Sequence, residues 1–427
     1  MERYSEYKDS GVRWLGKIPG HWERTKVSRL FKQIGSGTTP SSGDASLYAD
    51  KGTPWLQSGD FNNNEINSTS KFITDKALDN YCLKLYKPGS IVIAMYGASI
   101  GKVGLLNIAT TVNQACCVLS DSDHLLQKYA FYVFVNEKEN LIKKSKGGTQ
   151  PNISQEIIKS HYIPLPPLSE QHSIVSYLDD KCGKIDKMLE GKQKQIELLA
   201  EMKQRIIADA VTHGLNPDAK MKATNIPWLP EIPEHWDVKR GKNLFNKEQR
   251  PIEEGDEIVT CFRDGEVTLR KNRRTTGFTE ATDYSHYQHI CKGDLVIHQM
   301  DAFAGSSGVS DSDGMGTPVL SVCTARIEGV NHYYFAYILR LMGKNNFILS
   351  LYRGIRERSS DFRFETFAKQ YLPVPPAIEQ EQIVKFIHER SSKIDALTSK
   401  LQQEIESIKE YKQRLISDVV TGQIKVC

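Results

Sequence analysis

Pro164-Leu165-Pro166-Pro167-Leu168-Ser169-Glu170-Gln171 recurs as Pro373-Val374-Pro375-Pro376-Ala377-Ile378-Glu379-Gln380, 209 residues further along the chain. Extended without gaps, residues 164–212 and 373–421 share 21 identities in 49 positions, where average composition would give roughly three. The chain therefore carries an internal duplication, and both copies continue alike. Apolar residues fall at Ile174, Leu178, Ile185, Met188, Ile196, Leu199, Met202 and Ile206, and again at Ile383, Ile387, Ile394, Leu397, Ile405, Ile408, Tyr411 and Leu415. Steps of three, four and seven put them on one stripe of a helix. The prolines keep a helix from starting earlier. Ser169 is a candidate N-cap, and Gly214 and Gly422 sit near the two ends. Each segment predicts a helix of about 40 residues, a rod of roughly 60 Å. Lys192, Gln195 and Lys203 interrupt the first stripe. Neither stripe is buried alone, so the two helices are expected to pack on each other as an antiparallel pair.

The two copies also open alike. Trp14-Leu15-Gly16-Lys17-Ile18-Pro19-Gly20-His21-Trp22 returns as Trp228-Leu229-Pro230-Glu231-Ile232-Pro233-Glu234-His235-Trp236 at an offset of 214, followed by Leu30-Phe31 and Leu244-Phe245. Mid-copy, Pro88–Ile93 answers Lys292–Ile297 at an offset of 204, with Gly101 and Gly104 answering Gly305 and Gly308. The offsets differ, so the middles have diverged by insertion and deletion. Those middles, residues 24–160 and 238–370, carry short β-rich runs such as Ser90–Tyr96 and Asp294–Gln299 between Gly/Ser/Asn/Asp turns. Helical patterns occur at Tyr129–Lys143 and Tyr333–Leu351. The expected architecture is α+β: two tandem, pseudo-twofold-related α+β domains with mostly antiparallel sheets, joined by two long antiparallel helices. The boundaries read as a domain at 1–163, a helical region at 164–214, a second domain at 215–372 opening on a polar linker at Leu215–Thr224, and a second helical region at 373–427.

Composition narrows the function. The 427 residues are 39% hydrophobic and 25% charged, an ordinary globular balance. No apolar run approaches the roughly 20 residues of a membrane-spanning helix, and the opening Met1–Glu6 is polar, unlike a signal peptide. A net charge of +4 neither demands nor forbids nucleic acid, because binding depends on where charge sits. Eight cysteines with no C-x-x-C spacing point away from a disulfide framework and towards a reducing cytoplasm.

Catalytic patterns fail on inspection. Gly97–Val103 resembles a phosphate loop but has one residue too few and no hydroxyl after Lys102, and the second copy lacks the lysine. A tight glycine turn between strands is the better account. His286, His289, Cys291 and His298 could be drawn as a metal cluster, yet they lie on strand-like sequence where neighbours face opposite ways, and the first copy has no counterpart. They read as structural or DNA-facing residues, with no metal expected. Asp237-Val238-Lys239 and Glu190-Gly191-Lys192 echo fragments of nuclease motifs. No methyl-transfer signature, nucleotide-binding motif or nucleophile–base pair is assembled, so no catalytic residue and no bound cofactor are expected.

Polar and basic turns stand out instead. Lys143, Lys144 and Lys146 precede a turn containing Thr149, Gln150 and Asn152. The lysines suit phosphates, and Gln and Asn suit base edges. The equivalent place in the second copy holds Arg353, Arg356, Arg358 and Ser359. A further run, Arg270, Lys271, Arg273 and Arg274, has no equal in the first copy. The turns bearing Ser36, Thr38 and Thr39, and Gln57 and Asn62, complete the candidate DNA-binding set.

In this order and duplication, W-L-G-x-I-P-x-H-W, Thr53-Pro54-Trp55-Leu56, Gly147–Ser154 and P-L-P-P-L-x-E-Q resemble the specificity (S) subunit of a type I restriction–modification system, known as HsdS. The resemblance implies two target recognition domains, each reading one half of an asymmetric, bipartite double-stranded DNA site. It implies that the helices space the domains and dock two methyltransferase subunits, and that restriction subunits join them. S-adenosylmethionine, ATP and Mg would belong to those partners. The other readings from the residues are a coiled-coil adaptor with two ligand-binding domains, which would leave no DNA footprint, and a self-sufficient DNA enzyme.

Overall fold

The computed structural model describes residues 2–145, 151–274, 276–277, 283–351 and 362–426. The chain forms two compact units, Met1–Lys192 with Gln402–Cys427, and Gln193–Leu401.

The first unit is built on a five-stranded sheet. Its strands, in chain order with the smaller ones around them, are β1 (Glu23–Lys26), β2 (Gln33–Ser36), β3 (Thr53–Leu56), β4 (Asn64–Ile66), β5 (Ile91–Ala94), β6 (Val103–Leu106), β7 (Thr111–Val112) and β8 (Cys116–Ser120). The sheet runs β2-β8-β5-β6-β4. Three pairs are antiparallel, and the β6–β4 pair is parallel. Central β5 and β8 are buried on both faces, which is why their sequences are continuous apolar runs rather than alternating ones. One face packs on α1 (Gln127–Lys143), whose Tyr129, Val133 and Phe134 are fully buried. Strand β9 (Tyr162–Leu165) pairs with β1 and delivers the chain to the long helix α2 (Leu168–His213).

The second unit repeats the plan. It contains β10 (Asp237–Arg240), β11 (Phe245–Glu248), β12 (Val259–Cys261), β13 (Val267–Leu269), β14 (Gln288–Ile290), β15 (Leu295–His298), β16 (Ser307–Val309), β17 (Gly314–Gly316), β18 (Leu320–Ala325), α3 (His332–Lys344), β19 (Tyr371–Val374) and the long helix α4 (Ala377–Val420). Its main sheet runs β11-β18-β15-β16, all antiparallel, with β12–β13 and β14–β17 as separate pairs.

Antiparallel pairing of the long helices is seen inside each unit. In the first, Asp186 meets Lys412 and Lys192 meets Glu404, each at 2.5 Å. In the second, Lys203 meets Asp395 at 2.7 Å. The charges that interrupt the first stripe are thus the residues that fix its register. Both helices end where expected, at Gly214 and Gly422, each with φ of +75°.

Three repeated motifs form one joint in each unit. In the first, Trp22 Nε1 donates to Glu170 (2.9 Å), His21 Nε2 lies 2.5 Å from the same carboxylate, and Pro19 and Trp22 close over Gly422. In the second, His235 meets Glu379 at 2.8 Å, and Pro233 and Trp236 close over Gly214. The buried Gln171 and Gln380 accept from Leu126 N and Asn331 N at the starts of α1 and α3. Tyr129 and Tyr334 donate to the last turns of a long helix, at Val420 O and Val211 O. Each domain therefore seats on the beginning of one long helix and the end of the other.

Two local expectations need correction. Helix α2 begins at Leu168, so Ser169 lies inside its first turn, and its hydroxyl is not the cap. The stretch Leu215–Thr224 is not wholly linker: Met221–Ile226 is a strand pairing with Leu229–Pro233.

Candidate nucleic-acid interface

The register of the first sheet collects five loops at one end. Ser36 at the end of β2 pairs with Cys117, Ala94 at the end of β5 pairs with Cys116, and Val103 at the start of β6 pairs with Ile93. The segments after Ser36, after Ala94 and before Cys116 must therefore leave the sheet together. Strand β7 runs parallel to β3, so the turn after Leu56 joins them. Ile153 N donates to Met95 O (2.8 Å), which brings in the segment ending at Asn152.

Several sequence candidates converge here. Ser36 Oγ accepts from Gln155 Nε2 at 2.8 Å. Exposed Thr38 lends its carbonyl to Trp55 Nε1 (3.3 Å), and Thr39 Oγ1 bonds Gln114. Gln57 is held by its N–H to Asp60 (2.8 Å), while Asn62 and Asn152 are exposed. Gln114, Gln155 and the half-buried Tyr96 were missed, since no motif marks them and only the sheet register brings them to the turns. Gly37 packs with no room for a Cβ, which would lie 1.5 Å from Val112 O. Gly37→Ala should force the turn from its seat and cost about 1–3 kcal/mol, readable by urea unfolding of the full chain.

Gly97 and Gly101, with φ of +79° and +73°, make the tight turn between β5 and β6 that the broken phosphate-loop pattern left as its alternative. Asp237–Lys239 lies on strand β10 and Glu190–Lys192 mid-helix on α2, two frames of opposite type for the nuclease-like tripeptides.

The basic candidates divide. Lys143 is exposed at the end of α1. Lys144 Nζ instead donates to His161 Nδ1 (3.2 Å), itself 3.1 Å from the buried Glu137. Lys271 pairs with Glu257, and Arg273 bonds Asp264 (2.7 Å) and Glu266 (2.8 Å) while stacking over Phe262. Arg274 is bonded to the carbonyls of Thr276 and Gly277. Arg270 opens the short helical turn after β13, whose bridge to Ser310 carries it away from the loop end of the sheet. Lys146, Thr149, Gln150, Arg353, Arg356, Arg358 and Ser359 lie outside the described residues.

The second unit repeats the frame with other side chains. Gln299 N donates to Val319 O (2.9 Å) as Met95 N does to Ala115 O (2.7 Å). Phe362 N donates to Gln299 O (2.9 Å) as Ile153 N does to Met95 O. Here Gln299 Nε2 donates to the fully buried Ser321 beneath it (3.3 Å), and an Arg263–Asp301 ion pair (3.0 Å) stands at the surface. The backbone scaffold is shared while the groups offered to a ligand differ.

Of the four residues drawn as a metal cluster, His286 is exposed, and His298 accepts from Asp301 N on the main sheet. His289 and Cys291 do come together, with Asp313. Alternation separates neighbours on a strand, but these two are two residues apart and share a face.

The family model for the type I restriction modification DNA specificity domain matches residues 19–198 and 233–407. The chain belongs to this family. The two matches fall on the two copies read from the repeat. The chain is similar over 99% of its length to the type I restriction enzyme MjaIX specificity subunit of Methanocaldococcus jannaschii, at 24% identity and covering 97% of that protein. It is 23% identical to the MjaVIII specificity subunit of the same organism, covering 98% of it. Among solved structures, a chain from work on complex assembly and conformational transition of the type I R-M system aligns over 95% of this chain and 99% of its own, with a TM-score of 0.68 at 16% identity. The HsdS subunit from Thermoanaerobacter tengcongensis gives 0.51 at 15% identity, covering 95% of this chain and 98% of its own. The fold of this specificity subunit is thus the family's fold. Among the described residues, no helix is long and apolar enough to cross a membrane.

Proposed function

We propose that this specificity subunit reads an asymmetric, bipartite double-stranded DNA target, one half-site per domain, and carries no catalytic step itself. The observation that supports this is the duplicated loop frame around Met95 and Gln299, alike in backbone hydrogen bonds and unlike in side chains. A homodimer would present identical readers to a palindrome, whereas this chain offers Thr39, Gln114 and Tyr96 in one unit and Gln299 and Arg263 in the other. Adenine methylation falls to two methyltransferase subunits using S-adenosylmethionine, and cleavage to ATP- and Mg-dependent restriction subunits, all working in the cytoplasm. The modest charge of +4 suits a reader whose partners share the phosphate contacts.

The test is long-read mapping of methylated adenines in cells expressing this chain with its methyltransferase. A split motif with unlike halves is expected. Exchange of residues 24–160 for those of a relative should change one half and leave the other. Absence of any motif, together with no salt-dependent duplex binding by the complex, would favour an adaptor and sink the proposal. Gln114→Ala should cost about 1–3 kcal/mol of discrimination at one base pair of that same half-site, seen as relaxed methylation there.

A further inference from the structure

Outside the loop ends of the sheets, the second unit holds a mixed His, Cys and carboxylate cluster. It is set by the β14–β17 ladder, in which Ile290 pairs with Gly314. One step further puts Cys291 opposite Asp313, and His289 shares the face of Cys291. A ring nitrogen of His289, the Cys291 thiol and an Asp313 carboxylate oxygen lie within 4.8 Å of one another.

The surroundings are those of a ligand set. His289 is 6% exposed, and its Nδ1 is held by both carboxylate oxygens of Asp256, at 2.9 and 3.0 Å. That carboxylate fixes the ring and leaves Nε2 as the nitrogen free to bind a metal, the arrangement that orients metal-bound histidines. Nε2 makes no hydrogen bond among the described residues; its ion-pair neighbour is Glu253, 4.0 Å away and on the exposed side. Asp313 is itself positioned, accepting from Lys292 N at 2.8 Å. The loop carrying Glu253 and Asp256 is tied to the ladder by His289 N to Arg250 O (3.1 Å) and Met315 N to Glu257 O (2.8 Å).

We propose that His289, Cys291 and Asp313 form a zinc site, with Glu253 or water as the fourth ligand and Asp256 as the residue that orients His289. The donor set of one imidazole, one thiol and one or two carboxylates suits a borderline cation and disfavours Mg or Ca, which take oxygen. Burial, together with Asp294, Asp313 and Glu253, holds the Cys291 thiol above its ordinary pKa against the opposing Arg250. A cation there offsets that accumulated negative charge and displaces the thiol proton. The ion would staple the loop of residues 250–257 to the β14–β17 ladder.

The probe is Co²⁺ added to the metal-free full chain, with any histidine tag removed. The expected result is a thiolate-to-cobalt absorption band saturating at one equivalent and displaced by Zn²⁺. Cys291→Ser should abolish the band, and Asp256→Asn should weaken binding by about tenfold or more. Asp313→Asn, at an exposed side chain, should weaken binding while leaving the far-ultraviolet circular dichroism unchanged, which separates a lost ligand from a lost fold. No thiolate band in the wild-type chain, a band that survives in Cys291→Ser, or unchanged affinity in Asp313→Asn would each overturn the proposal.

Discussion

Trp22→Ala and Trp236→Ala should each lower the stability of their unit by about 3–5 kcal/mol, the largest single-residue losses expected in this chain. Both indoles are fully buried, and each fills the space between a domain and the glycine that ends a long helix. The subtler comparison is with phenylalanine, which keeps most of the volume. Trp22 Nε1 donates to Glu170, which also accepts from Tyr4 and His21. Burial works against the Glu170 charge, yet these three bonds together hold its carboxyl below the usual range. Trp22→Phe removes one of them and should cost about 1–3 kcal/mol beyond the lost volume, since a charged acceptor is left short of a donor. Among the described residues, Trp236 Nε1 is buried with no hydrogen-bond partner. Trp236→Phe deletes that unsatisfied donor, whose burial is itself unfavourable, and should be the milder change. Urea unfolding followed by circular dichroism, fitted with one transition per unit, decides the matter. Equal losses for the two phenylalanine variants would refute the reading of the joint.

The joint also marks how far the sequence could be read. The repeat, the helix stripes and the glycine ends are local or periodic signals, and they put α2, α4 and both domains in place. What closes the joint is neither local nor periodic. His21 meets Glu170 across 149 residues, and Tyr129 reaches Val420 across 291. Which helix end each domain grips is set by tertiary packing, which no spacing encodes. The candidate interface divides similarly. Turn chemistry pointed to Ser36, Thr38, Thr39 and Gln57, because Gly, Ser and Thr clusters announce loops. Gln114 was passed over because it follows a β-rich run and reaches the same end only through the β8–β5 register. A run of charge in the sequence does not show which charges the fold pairs. Lys271 and Arg273 are clustered in sequence, but the fold sets Glu257, Asp264 and Glu266 against them.

Lys144 leads to the second large effect. Its amino group donates to His161, and His161 lies 3.1 Å from Glu137, with the imidazole and carboxylate fully buried and the ring stacked on Trp14. Burial pushes the Glu137 carboxyl up to about 8, against the opposing bonds from Asn140 and Asn136 and the charge of Lys144. Burial, reinforced by Lys144, pushes the His161 imidazole down to about 3. The unfolded chain ionises these groups near 4.5 and 6.5, so their effects on stability have opposite signs. Between about 3 and 4.5 the unfolded His161 binds the extra proton, and stability rises with pH. Between 4.5 and 6.5 the native Glu137 holds a proton that the unfolded one has lost, and the two slopes cancel. Above 6.5 only Glu137 still differs, and stability falls until pH 8. That falling limb spans about 1.5 pH units, or roughly 2 kcal/mol. Glu137→Gln keeps the amide in hydrogen-bonding reach of His161 and cannot ionise. The variant should therefore lose about 2 kcal/mol less than the wild type between pH 6.5 and 8.5, measured by urea unfolding at each pH. The second unit is an internal control, because α3 places buried Met342 where α1 has Glu137. Its transition should not gain this limb, and parallel pH slopes in the wild type and Glu137→Gln would refute the assignment of the proton to Glu137.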